Sequence, residues 1–105
     1  MIDQGTIQQA VRLLQEAAPG ARIVLFGSHA RNDAGPNSDL DFLVVEPEVK
    51  SRRAEMVRLR DVLRPLRIPV DVLVVSAQTF EKWSATPGTV LFEAAKEGVV
   101  ANVAE

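Results

Sequence analysis

Three aspartates and a glycine–serine pair are the residues of this chain whose types and spacing could do chemistry. Asp39 and Asp41 flank Leu40 at the head of an apolar run, and Asp71 sits two residues into a second run, PVDVLVV. Side chains two apart on a strand share a face, so Asp39 and Asp41 project side by side. Aspartate is depleted in strands and is seldom buried without a partner. Three carboxylates at like ends of two apolar strands raise one another's pKa unless positive charge lies between them. A divalent cation is the economical remedy. Mg²⁺ (with Mn²⁺ as the alternative) takes oxygen ligands, keeps several waters and is held by a few carboxylates plus substrate phosphates. Three carboxylates make two ions about 3.5–4 Å apart feasible, the arrangement that clamps the attacking and leaving oxygens of an in-line displacement. In the alternative reading, Asp39 is a turn residue after Asn37-Ser38, and Asp41 and Asp71 pair with nearby arginines.

Gly27-Ser28 follows the strand-like run RIVLF. A glycine there lets backbone approach a ligand closely, and free amides opening a helix favour phosphate. Ser28 adds a hydroxyl and Arg31 a charge one turn later. A plain strand-to-helix turn capped by Ser28 would use the same residues.

The elements that must hold these groups follow from periodicity. Ile7, Ala10, Val11, Leu14 and Ala18 mark one helix face, stopped by Pro19-Gly20. Arg22 to Phe26 is a strand, a short helix starts at Ser28, and NDAGPNS is a loop. Residues 40–45 form the second strand, closed by Pro47. Residues 50–66 form a helix with Ala54, Val57, Leu59, Val62, Leu63 and Leu66 inward, broken near Pro65. Residues 69–75 form the third strand, and Ser76 caps a short helix through Phe80 and Trp83. Thr86 caps a last helix with Pro87 at its first position, running to Glu97 and stopping at Gly98; VVANV then makes an edge strand. Strands alternating with helices predict an α/β fold in one domain over residues 1–105.

Composition narrows the function classes. The chain has 105 residues, 47% apolar and 25% charged, with a net charge of −2, so the molecule as a whole does not attract polyanions. It has no cysteine, which excludes disulfide scaffolds, thiolate metal sites and thiol nucleophiles. No apolar run approaches a membrane span, and the N-terminus lacks the basic and apolar regions of a signal peptide, so a cytoplasmic protein is expected. Lys50, Arg52, Arg53, Arg58, Arg60, Arg64 and Arg67 place seven of the 12 basic residues in one helical segment. They read either as a docking surface for RNA or an acidic protein, or as a solvated face balanced by Glu55 and Asp61. His29, the single histidine, is expected to be exposed or loosely packed; Phe80, Trp83 and Phe92 are expected in the core.

Taken jointly, Gly27-Ser28, Ala30-Arg31, Ser38-Asp39-Leu40-Asp41 before an apolar run, and Asp71 in a later strand resemble the polymerase-β-like nucleotidyltransferase superfamily. The pattern there is G-S-x-A-R, then S-D-x-D, then a third aspartate. The likeness is closest to its minimal stand-alone branch, the MNT proteins, and covers nearly the whole chain, with LFEAAKEGVV resembling the family's final helix and turn. It implies a two-layer α/β nucleotidyltransferase fold with a mixed sheet of three core strands plus a short edge strand. By position, Gly27 and Ser28 would hold the β- and γ-phosphates, and Asp39 and Asp41 would bind both metals. Asp71 would bind the metal on the attacking side and help deprotonate the incoming hydroxyl. Arg31 would contact phosphate or sit in a structural ion pair.

The resemblance further implies Mg²⁺-dependent transfer of a nucleoside monophosphate from an NTP, with ATP expected, to a hydroxyl, releasing pyrophosphate. A chain this short leaves no room for the domains with which larger relatives hold nucleic acid, so something else presents the acceptor. The minimal branch is commonly paired with a helical HEPN-type partner and acts as the antitoxin of a toxin–antitoxin module, adenylylating a tyrosine of the toxin. A homodimer, or a hetero-oligomer with that partner, would bury a face this core leaves open. Two rival readings are a binding module that neutralises its partner by occlusion and a small-molecule nucleotidyltransferase, the latter disfavoured by the missing substrate-binding domain.

Overall fold

Asp3 opens the first helix by accepting the Thr6 amide at 2.7 Å, and Ile7, Ala10, Val11 and Leu14 are the face this helix buries. The computed structural model describes residues 2–102. Helix α1 (Gln4–Ala17) ends ahead of Pro19-Gly20, where Gly20 adopts a φ of +83°. There follow β1 (Arg22–Phe26), β2 (Leu40–Glu46), α2 (Arg52–Leu63) with a 3₁₀ turn at Arg64–Leu66, β3 (Val70–Ser76), α3 (Ala77–Trp83), α4 (Val90–Glu97) and β4 (Val99–Val100).

The four strands form one mixed sheet in the order β3-β2-β1-β4. β2 and β3 are parallel, in register from Leu40 opposite Val70 to Glu46 opposite Ser76, and β1 is antiparallel to both β2 and β4. A parallel pair needs a crossover, which α2 supplies. Alternation sorts the side chains between two faces. Ile23, Phe42, Val44, Val72 and Val74 pack with α1 and with Leu59 and Leu63 of α2. Val24, Leu43, Val45 and Val75 face the other way, where Phe80 of α3 and Leu91 and Ala94 of α4 cover them. Asp41 and Asp71 belong by the same alternation to this second face, at its end.

Several local expectations change. No helix forms at Ser28: the amides of Ala30 and Arg31 both reach the Gly27 carbonyl at 3.1 Å in a single turn, which Asn32 ends at a φ of +61°. Helix α2 begins at Arg52, with the Ser51 hydroxyl accepting the Ala54 amide. Ala54 and Val57 face solvent, Val57 at 55% exposure, and Met56 packs against the core instead. Two residues of helix turn the chain by roughly 200°, so Val57 lies opposite the buried Leu59. The last helix is capped by Thr89 rather than Thr86. Pro87-Gly88 makes a turn (Gly88 φ +89°), and the Thr89 hydroxyl accepts the Phe92 amide while donating to the Thr86 carbonyl at 2.9 Å. Trp83 is 41% exposed, with the Lys82 ammonium over its ring, whereas Phe80 packs in the second core and Phe92 is half-buried. The edge strand keeps Val99 and Val100 of the expected VVANV; Val103 lies outside the described residues. No helix among the described residues is long and apolar enough to cross a membrane.

Candidate active site

Strand β1 ends at Phe26, opposite Asp41 of β2, so the next residue, Gly27, arrives against the Asp41 carboxylate. A Cβ at Gly27 would run into Asp41 Oδ2 and stand 3.2 Å from Cγ, and the φ of +77° is itself one that only glycine adopts freely. Both facts require glycine at this corner. The turn leaves the Ser28 and His29 amides and the Ser28 hydroxyl without an acceptor or donor among the described residues. His29 is half-buried with Nε2 3.4 Å from the Ser38 carbonyl, and the Gly35 amide donates to Ser38 Oγ at 2.8 Å. Leu40 N donates to the Pro69 carbonyl at 3.0 Å, so the loop carrying Asp39 is tied to the start of β3.

Asp41 stands directly opposite Asp71 in the parallel register. In-register residues of parallel strands point the same way with strands roughly 4.8 Å apart, so the two carboxylates share a face. Burial first, then the charges of Asp71 and Asp39, raise the Asp41 pKa above its ordinary value, against smaller opposing effects of His29 and Arg31. Asp39 lies one residue ahead of β2 and is exposed. Asp71 is exposed as well, and its Oδ1 accepts a long hydrogen bond, 3.4 Å, from Arg60 Nη2. Arg60 belongs to α2 on the opposite face and reaches Asp71 around β3, the edge strand of the sheet.

Of the two roles open to Arg31, the structure holds the ion pair. Its Nη1 meets both Glu97 oxygens at 3.1 Å and its Nε meets Asp33 Oδ2 at 3.1 Å, bolting the turn to the end of α4. Sequence spacing brought Gly27, Asp39, Asp41 and Asp71 to one end of the sheet as expected. The alternative pairing of Asp71 with a nearby arginine is met by Arg60, whereas Glu97 was missed because its contact with Arg31 spans 66 positions and leaves no local pattern.

A second acidic pair lies at the far end of β2. Burial, then the neighbouring Glu55, push Glu46 up to about 7, while two Arg58 hydrogen bonds of 2.7 Å hold Glu55 down at about 2.

Among the described residues no three His, Asp or Glu side chains stand together as a ready-made cation site. The donor chemistry at Asp41 nonetheless fits Mg²⁺. Its carboxylate is crowded by the like charges of Asp71 and Asp39, a set of oxygen donors of the kind this cation takes, and the Gly27 backbone lies against it.

A family description of the nucleotidyltransferase domain matches residues 7–99. No curated protein matches the chain. Among solved structures, the chain is similar to one from a crystal structure of a toxin–antitoxin with AMP-PNP, at 21% identity and a TM-score of 0.65, covering 99% of this chain and 76% of that one. It is also similar to a Sulfolobus solfataricus protein described by inference as a nucleotidyltransferase, at 20% identity and a TM-score of 0.60, covering 91% and 76%.

Proposed function

The chain belongs to the nucleotidyltransferase domain family, and on that premise we propose that it transfers AMP from ATP to a hydroxyl of a protein partner, a tyrosine of a HEPN-type toxin, as the antitoxin of the pair. One observation carries the chemistry: Asp41 and Asp71 are in register on parallel strands, with Gly27 packed against Asp41. The toxin–antitoxin setting is supported by the fold it shares with the structure that holds AMP-PNP.

Asp39 and Asp41 would hold the divalent metals, with Asp71 a ligand on the acceptor side once it leaves Arg60. Bound there, the metals supply charge neutralisation at the phosphates and lower the pKa of the acceptor hydroxyl. The Ser28 and His29 amides and the Ser28 hydroxyl, free in the turn, orient the triphosphate by hydrogen bonding to its oxygens. Asp71, at the open edge of the sheet, stands where an incoming hydroxyl arrives and takes its proton on a carboxylate oxygen. The turn pinned by His29 to Ser38 and by Arg31 to Glu97 keeps these groups in place.

The test incubates the chain with ATP labelled in its α-phosphate, Mg²⁺ and the protein encoded beside it. Label should move to a tyrosine of that protein and be lost in the Asp39→Ala, Asp41→Ala double variant. Equal neutralisation of the partner by both forms, without label, would instead make the chain a binding module.

A further inference from the structure

The outer side of α2 is largely exposed and touches the acidic site only through Arg60. Arg53, Val57, Arg60 and Arg64 recur at spacings of four and three, which aligns them along one side of the helix into the start of its 3₁₀ extension, and Arg67 follows just past that extension at a φ of +53°. Val57 is 55% exposed, and the Arg60 and Arg64 side chains are 52% and 79% exposed. Two other arginines of the helix are engaged: Arg52 Nε donates to the Val74 carbonyl at 2.8 Å while its side chain borders the first groove described below, and Arg58 serves Glu55. Arg64 pairs with Asp61, but Arg53 and Arg67 make no ion pair among the described residues. Two grooves run along this side, one of about 430 Å³ at Arg53, Met56 and Val57, the other of about 500 Å³ at Arg64 and Arg67. Arg60 lines both and also reaches Asp71.

We propose that this face is where the acceptor polypeptide docks, through an acidic segment with an apolar anchor, so that the docked segment ends at Asp71. The inference rests on the transfer reading above and deepens it by assigning the surface that selects the partner. Carboxylates suit the free guanidinium forks, which take them two hydrogen bonds at a time. Met56 and Val57, framed by arginines, match the composition of protein interfaces, where Arg and Met are enriched. A phosphate backbone would gain nothing from that apolar centre. The face also offers no aromatic side chain for base stacking, and the chain's net charge of −2 opposes a long polyanion.

Fluorescence anisotropy with the full chain tests this. The probes are a labelled synthetic helical peptide bearing Glu and Asp around a Leu ridge, the same peptide with Lys for its acids, and a single-stranded RNA oligonucleotide. The acidic peptide should bind, weaken as salt rises, and outbind both other probes. Arg53→Glu with Val57→Glu should weaken it about tenfold or more, with the affinity for ATP and Mg²⁺ unchanged. The milder Arg53→Gln should act in the same direction, and since both residues are exposed the thermal midpoint should hold. Tighter binding of the RNA, absence of peptide binding, or binding indifferent to these variants overturns the proposal. The two readings fail separately. Asp41→Ala should keep peptide binding and lose label transfer. Intact docking without transfer counts against the reaction alone, and intact ATP turnover without docking counts against this surface alone.

Discussion

At one end of β2, Asp41 stands beside Asp71; at the other, Glu46 stands beside Glu55. Both pairs put two carboxyl groups within reach of each other on a largely apolar sheet. At the far end the fold compensates one of the two acids from its own resources and leaves Glu46 Oε2 buried without a hydrogen-bond partner among the described residues. Arg58 grips Glu55 with two short hydrogen bonds, and Glu46 keeps its proton to about pH 7. At the near end compensation is thin. Arg60 touches Asp71 at 3.4 Å across an exposed edge, no positive group among the described residues bonds to Asp41, and Gly27 presses its backbone against that carboxylate. A carboxyl pair neutralised inside the fold is structure. One left short of positive charge, beside unused amides, is arranged for something that arrives from outside.

The largest effect that would break this contrast is chemical. Asp41→Asn should lower label transfer about 10³-fold or more, while the ligand-free thermal midpoint stays at or above that of the parent, since a crowded carboxylate has been removed. A midpoint that falls sharply would show Asp41 to be a structural residue like Glu55. Next comes Gly27→Ala. The positive φ and the contact with Asp41 should cost about 1–2 kcal/mol of stability, read by denaturant unfolding, and should weaken ATP binding.

A smaller, pH-dependent effect sharpens the far end. Glu46 has its folded value raised from 4.5 to about 7, so the folded chain holds a proton that the unfolded chain releases. Its stability contribution therefore falls as pH rises from about 4.5 to 7 and is flat above. Glu46→Gln removes this dependence, so the variant's midpoint should gain on the parent's across that window and hold the gain at pH 8. Glu55, held at about 2, contributes stability that is present above 4.5 and lost on acidification toward 2, so above pH 5 its own contribution is constant. Smallest of all is Arg60→Gln. An exposed ion pair should change stability by less than about 0.5–1 kcal/mol, measured by urea unfolding.

Much of the near end was legible in the sequence because its logic is local. A glycine after a strand, two aspartates two apart at a strand head and a third in a later apolar run each follow from backbone periodicity. The burial of Ile7, Ala10, Val11 and Leu14 was read on the same grounds. Where the period was misapplied, reading it failed. Met56, Leu59 and Leu63 follow helical spacing, whereas Val57 stands two residues from Leu59 and so on the other side of the helix. Thr86-Pro87 and Thr89 both offer a cap, and the Pro87-Gly88 turn settles it for the second. At the far end the balancing of a basic helix residue by Glu55 was legible from spacing, and Arg58 makes it. Glu46 looks like an ordinary surface acid until the crossover folds Glu55 over it, and the identity of the distant partners, Arg60 for Asp71 and Glu97 for Arg31, leaves no local pattern.

The parallel pairing of β2 with β3 has a kinetic consequence. Asp41 and Asp71 are 30 positions apart, and they become neighbours only after α2 has looped back and closed that span. Loop closure of this kind is slow and comes with the long-range contacts of the transition state or after them. A nascent or partly unfolded chain thus exposes its acids singly and presents no assembled centre. Hydrogen exchange at the β3 amides would time the moment at which the two halves meet.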